Sequence, residues 1–282
     1  MVTLAESQLQ LSDFQLVQEI YFPKNYEASS MWKLKQLLWE TAVVQWEQTA
    51  ESLGSFGEVW EPLPIGKHFD SILDLGCGYG RLAAYLSKQK KITCNKYYGI
   101  DISESLLRRM LGYKRAYNLF PSAEFSLICI AGDKLPFEDN SIDFVRASSI
   151  FLSLETEQLK HNLAEIARVI KPGGVFVFED LFYNRYCPMN ILDNVLNKAR
   201  KSKLDFGHLK QYSLGEIKRL LKNSQLSQKC PQYTIKPHKP ALLQEKFGNV
   251  GMRVSNDINK EINLPKFLKE FLACGYSVYS KV

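Results

Sequence analysis

The apolar positions of the chain change period along its length, and each change marks an element. Ile72, Leu73 and Leu75 form an apolar run around Asp74 and lead into Gly76-Cys77-Gly78-Tyr79-Gly80, which reads as a buried strand turning through alternating glycines. The stretch from Arg81 to Leu86 starts a helix. Tyr97, Tyr98, Gly99 and Ile100 predict a second strand ending at Asp101, after which Ser103 caps a helix and Glu104 favours its dipole. Phe125 to Ile130 reads as a third strand and the apolar run after Ser141 as a fourth. A helix through Ala164, Ile166 and Val169, a turn at Pro172-Gly173-Gly174 and a fifth strand from Val175 to Phe178 complete the series. Strand and helix thus alternate over residues 67–182, which predicts an α/β fold with a parallel sheet and right-handed crossovers.

The flanks read differently. Residues 1–66 are expected to form a helical extension, because Trp32, Trp39 and Trp46 recur with Leu38 and Val43 on one helical stripe. Such a stripe packs the helix on the following domain or faces a substrate. The extension closes in a Gly- and Pro-containing linker between Gly54 and Gly66. Residues 67–282 then form the main domain. Beyond Asn184 more helices are expected, one opened by a capping box of Ser213 and Glu216, with two further strands near residues 232–235 and 276–280. Residues 236–266 read as an insertion.

Composition narrows the classes. A chain of 282 residues, 45% hydrophobic, buries one core of ordinary size. Its net charge of +6 is spread over helix faces, and only the stretch Lys198-Ala199-Arg200-Lys201-Ser202-Lys203 is locally basic, so a solvated surface is the expectation and nucleic acid is not. The 6 cysteines form no C-x-x-C pair and no zinc spacing with the 4 histidines, which argues for no metal and for reduced thiols in a cytoplasmic protein. The first residues carry no basic segment followed by an apolar one, and no apolar run spans a bilayer, so a soluble, unexported chain is expected.

Three alternating glycines let a ligand approach the backbone closely. A dinucleotide fingerprint is one reading, but it would place its third small residue at Arg81, where close helix packing excludes a guanidinium. Asp74 at the mouth of such a site suits a cationic ligand and would repel a pyrophosphate.

The run from Asp74 to Gly80, D-x-G-x-G-x-G, resembles motif I of the class I S-adenosylmethionine-dependent methyltransferases, and the likeness to small-molecule, type 11-like members extends over residues 68–185. That resemblance implies a Rossmann-like, doubly wound, mostly parallel seven-stranded sheet whose last two strands form an antiparallel pair at one edge. It implies S-adenosylmethionine as cofactor and S-adenosylhomocysteine as product, held at Asp74, Gly76, Cys77, Gly78 and Gly80. In the same likeness Asp101 accepts from the ribose hydroxyls and Ile102 lies on the adenine face. Gly132-Asp133-Lys134-Leu135-Pro136-Phe137 is similar to the segment in which an Asp accepts from the adenine amino group, so Asp133 takes that role and the Lys134 amide faces a ring nitrogen. Ser148 belongs to the loop bordering the transferred methyl.

The acceptor is less marked. Tyr21 and Tyr26 precede the tryptophan stripe, and the resemblance implies an N-terminal aromatic lid. Residues 205–217 are similar to an H-x-x-x-Y-[ST] segment that supplies another wall through His208 and Tyr212, although Gln225-Leu226 replaces the usual Gly-Phe after it. No histidine follows the fourth strand closely, where the chain reads Ser148-Ser149-Ile150-Phe151-Leu152-Ser153-Leu154-Glu155, and His161 falls on a helix surface. An acceptor with a free lone pair needs no strong base. The expectation is therefore N-methylation of an amine or guanidine in a small molecule, with Tyr26, Glu155, His208 and Tyr212 orienting it. The alternatives are an O- or C-methyltransferase, a tRNA or rRNA methyltransferase, a non-catalytic binding module and a nucleotide-dependent oxidoreductase. The base-methylating motif N/D-P-P-Y/F is replaced by Ala147-Ser148-Ser149-Ile150, which counts against nucleic acid. A monomer or homodimer is expected.

Overall fold

A computed structural model describes residues 12–24, 66–89, 91–131, 134–148, 150, 154–180, 212–229, 233–238 and 275–280. Its strands are β1 Phe14–Val17, β2 Ile20–Pro23, β3 His68–Leu75, β4 Thr93–Asp101, β5 Glu124–Cys129, β6 Ile142–Ser148, β7 Ile170–Asp180, β8 Tyr233–His238 and β9 Gly275–Ser280. The helices are α1 Arg81–Ala84, continued by a π-helical turn Tyr85–Gln89, then α2 Glu104–Tyr117, α3 Thr156–Val169, α4 Leu214–Asn223 and α5 Leu226–Lys229.

The strands join one sheet in the order β1-β2-β5-β4-β3-β6-β7-β9-β8. β5, β4, β3, β6 and β7 run parallel, and β9 is antiparallel to both β7 and β8. These seven strands are the mostly parallel, doubly wound sheet expected from the sequence. β3 is buried at every position from Ser71 to Leu75, as a central strand covered on both faces must be. Its side chains alternate between two cores. Leu73 and Leu75 face α3 and α4, packing with Leu159, Leu163, Ile166, Ile217 and Leu221, whereas Ile72 packs with Leu82, Leu86, Leu107 and Met110 on the side of α1 and α2.

The expected helical extension over 1–66 is corrected in its described part, since residues 14–23 are a β-hairpin. β1 pairs antiparallel with β2, and β2 pairs parallel with β5 through Ile20 with Leu127 and Tyr21 with Ile128. The aromatic and β-branched residues Phe14, Val17, Ile20, Tyr21 and Phe22 suit strands, and the two-residue turn runs through Gln18 and Glu19 at φ 49° and 69°. Side chains hold that turn to α2: Arg108 Nη1 donates to Gln18 Oε1 at 2.7 Å, and Arg115 pairs with Glu19. Ile20 is fully buried. Deleting residues 1–24 is accordingly expected to cost at least about 2 kcal/mol in a urea melt, from the lost Ile20 burial alone. It also bares the outer edge of β5, so light scattering should show self-association. Tyr26 and the tryptophan stripe lie outside the described residues.

Candidate functional site

The parallel strands end together on one edge, and the chemistry collects there. Leu75 is registered with Ile100 and with Ala147, and Asp101 with Cys129, so the turn after β3 lies between Asp101 and Ser148. That turn is built by Gly76, Gly78 and Gly80 at φ 70°, 52° and 90°, left-handed values that favour glycine. The Gly76 and Cys77 amides donate to the Ile100 carbonyl at 2.7 and 3.0 Å, which closes the turn onto β4. A Cβ on Gly78 would meet nothing within 4 Å, so its backbone borders open space.

Asp101 organises this edge. Its Oδ2 accepts from the Gly78 amide and its Oδ1 from the Ser103 amide, both at 2.9 Å, so one carboxylate ties the glycine turn to the start of α2. Each oxygen keeps a second lone pair for further donors. Burial pushes the carboxyl up to about 6, against the pull of the Ser103 and Gly78 amides and with a further push from Asp74. Ile102 is half-buried, and its carbonyl accepts from the Cys129 thiol at 3.6 Å.

Asp74 stands elsewhere than expected. Its carboxylate is fully buried rather than at the mouth of the site: Oδ2 accepts from the Tyr97 hydroxyl at 2.7 Å and Oδ1 from Arg146 at 3.3 Å. Burial raises its carboxyl above the ordinary range, with Arg146 and Tyr97 pulling the other way. The cause is register, because Arg146 on β6 lies directly across from Asp74 and projects to the same face. Tyr97 is held in turn between Phe120 and Phe125, at ring separations of 4.9 and 4.6 Å. The charge of Asp74 is therefore spent on Arg146. Gly99, across from Asp74 on β4, leaves room for the Cys77 side chain, since a Cβ there would stand 3.0 Å from its Sγ and 2.7 Å from Leu127. Arg146, Tyr97 and Gly99 were not singled out by motif spacing, although a lone Arg in an apolar strand was a usable signal.

The remaining candidates separate. Ser148 ends β6 beside the turn at Gly76, and the Lys134 side chain is exposed; Asp133 and His208 lie outside the described residues. Glu155 caps α3 in a capping box with Gln158. Tyr212 is corrected from a substrate group to a packing group: it is 2% exposed and its hydroxyl donates to the Leu154 carbonyl at 2.7 Å.

Residues 73–178 match the family model described as a methyltransferase domain. By that match the segment from β3 to β7 is similar to methyltransferase domains. Over 136 residues the chain is 31% identical to the human mitochondrial arginine-hydroxylase NDUFAF5, a match covering 46% of this chain and 35% of that protein. Over 221 residues it is 28% identical to an uncharacterized protein of Methanocaldococcus jannaschii, covering 77% of this chain and 78% of the relative. A sterol 24-C-methyltransferase of Gibberella zeae is 34% identical over 137 residues, 48% of this chain and 32% of its own. The chain thus spans about a third of the length of the hydroxylase and of the sterol enzyme. Among solved structures, geranyl diphosphate C-methyltransferase from Streptomyces coelicolor aligns at a TM-score of 0.48 and 15% identity, over 79% of this chain and 74% of that one. Among the described residues no helix is long and apolar enough to cross a membrane.

Proposed function

We propose that the chain transfers a methyl group from S-adenosylmethionine to a small-molecule acceptor, an amine or guanidine nitrogen of a specialised metabolite, by direct in-line transfer. The observation that carries the cofactor site is the Gly78 and Ser103 amides converging on Asp101 beside an open glycine backbone. In this reading the two remaining lone pairs of Asp101 accept the vicinal ribose hydroxyls. Ile102 packs on the adenine, the Asp133 carboxylate and the Lys134 amide read the base edge, and Ser148 borders the methyl. The cofactor supplies an electrophilic methyl on a sulfonium, whose charge disperses during transfer, so alignment and exclusion of water are what the chain contributes. Nitrogen is supported by the serines and apolar residues that follow β6, a sequence suited to a nucleophile whose lone pair is already free. Reduced thiols at Cys77, Cys94 and Cys129 fit a cytoplasmic setting.

The test is a panel of amines, guanidines, phenols, carboxylates, carbon acceptors and tRNA incubated with methyl-labelled cofactor. Label in the amines or guanidines is expected. Label in phenols or at carbon would reassign the acceptor atom, and label in tRNA alone would overturn the small-molecule reading.

Asp101 also sets a pH dependence. Its folded-state value of about 6 lies above the 3.8 of a free carboxyl, so between the two the protein holds a proton that removes an acceptor. Affinity for S-adenosylhomocysteine, measured by calorimetry, is expected to be level above pH 7 and to fall as pH drops through about 6. Asp101→Asn should bind more weakly and lose that inflection.

A further inference from the structure

The last turn of α3 reaches across to the loop that follows Asp133. Glu165 and Arg168 project together, and the guanidinium meets the carboxylate twice, Nε to Oε1 and Nη2 to Oε2, both at 2.9 Å. The pair then grips one residue of the loop from both sides. The Leu135 amide donates to Glu165 Oε2 at 2.9 Å, and the Leu135 carbonyl accepts from Arg168 Nη2 at 2.8 Å. Arg168 Nη1 continues along the loop to the Phe137 carbonyl at 2.7 Å and to Asp139 Oδ1 at 2.9 Å. All the N–H directions of a guanidinium are therefore used, a set that lysine cannot reproduce. Arg168 and the Leu135 amide together hold the Glu165 carboxyl below its ordinary range although burial works to raise it. The side chains of Leu135 and Phe137 are buried beneath the grip, at 1% and 0% exposure.

Packing alone would hold the loop through those two side chains. What needs explaining is why a salt-bridged pair also fixes both polar groups of the Leu135 backbone. Leu135 directly follows Lys134 in the chain. We propose that Glu165 and Arg168 are positioning residues for adenine recognition: by fixing Leu135 at its amide and its carbonyl, they set the register in which the Lys134 amide and the Asp133 carboxylate meet the base edge. The proposal rests on the reading of Asp133 and Lys134 as that edge.

The test compares binding of S-adenosylhomocysteine with that of S-inosylhomocysteine, in which an oxo group replaces the 6-amino group. Calorimetry is run well below each variant's melting temperature. The wild type should prefer the adenine compound. Arg168→Ala and Glu165→Gln are expected to weaken its binding by at least about tenfold while changing the inosine compound little, so that the preference collapses. Arg168→Lys should restore it only in part. In the double variant Asp133→Ala/Arg168→Ala, the two losses should not add, because both act on one contact. Glu165→Gln carries the test if Arg168→Ala does not fold. Variants that melt earlier but keep the full preference would make the pair merely structural and overturn the proposal. A separate failure is recognisable: if Asp133→Ala alone leaves the preference intact, the adenine-edge reading is wrong whatever the Arg168 variants show.

Discussion

Arg146→Met is expected to lower the folding free energy by about 3–5 kcal/mol, the cost of leaving one member of a buried ion pair without its partner. Arg146 is 4% exposed and Asp74 0%, so no water can take over from the guanidinium. The Tyr97 hydroxyl would remain as a single neutral donor to a carboxylate that burial already drives toward its protonated form. Two further results follow from that cause. With its folded-state carboxyl raised further, the variant holds a proton on Asp74 that the unfolded chain releases. Its stability should thus be greatest at low pH and be lost as pH rises through the folded-state value. The double variant Asp74→Asn/Arg146→Met should recover most of the loss, since two neutral groups replace two charges. Urea unfolding of the three proteins decides the matter, and a single-variant cost under about 1 kcal/mol, the range of exposed pairs, would show that the pair is solvated.

Asp101→Ala is expected to weaken S-adenosylhomocysteine binding by about 1–3 kcal/mol, roughly fivefold to 150-fold, through the loss of charge-assisted bonds to the ribose. The structure adds a second effect. The Gly78 and Ser103 amides both donate to this carboxylate, so its removal leaves two donors without their acceptor and frees the glycine turn from α2. A stability loss of about 1–3 kcal/mol should accompany the loss of affinity. Calorimetry and unfolding on the same preparations separate the two. Unchanged affinity in a folded variant would place the ribose elsewhere.

What the sequence made legible was whatever local rules determine. The Gly76 to Gly80 turn, the Ser103 cap on α2 and the Ser213 and Glu216 capping box are each written within a few residues, and each stands where its pattern put it. The polar network under the glycine turn was hidden because its members sit on three strands, with Tyr97 and Arg146 reaching Asp74 from 23 and 72 residues away. Asp74 within an apolar run signalled burial, yet the partner that absorbs its charge is found only through the register of β3 and β6. The hairpin escaped for a chemical reason. A left-handed two-residue turn is announced by Asn-Gly or Asp-Gly, and here Gln18 and Glu19 occupy it, held by Arg108 and Arg115 of a helix far along the chain. Tyr212 matched a family segment by type and spacing, but whether a tyrosine faces a cleft or a neighbouring carbonyl is a tertiary fact.

The hairpin at the outer edge has a consequence for synthesis. Ile20 is paired with Leu127, more than a hundred residues later, and so distant a pairing carries a large loop-closure cost when an extended chain must find it. On the ribosome the order of emergence works in its favour, because β1 and β2 leave the tunnel long before β5. The partner for the β5 edge is then already waiting, and that apolar edge is expected to spend little time open to other chains.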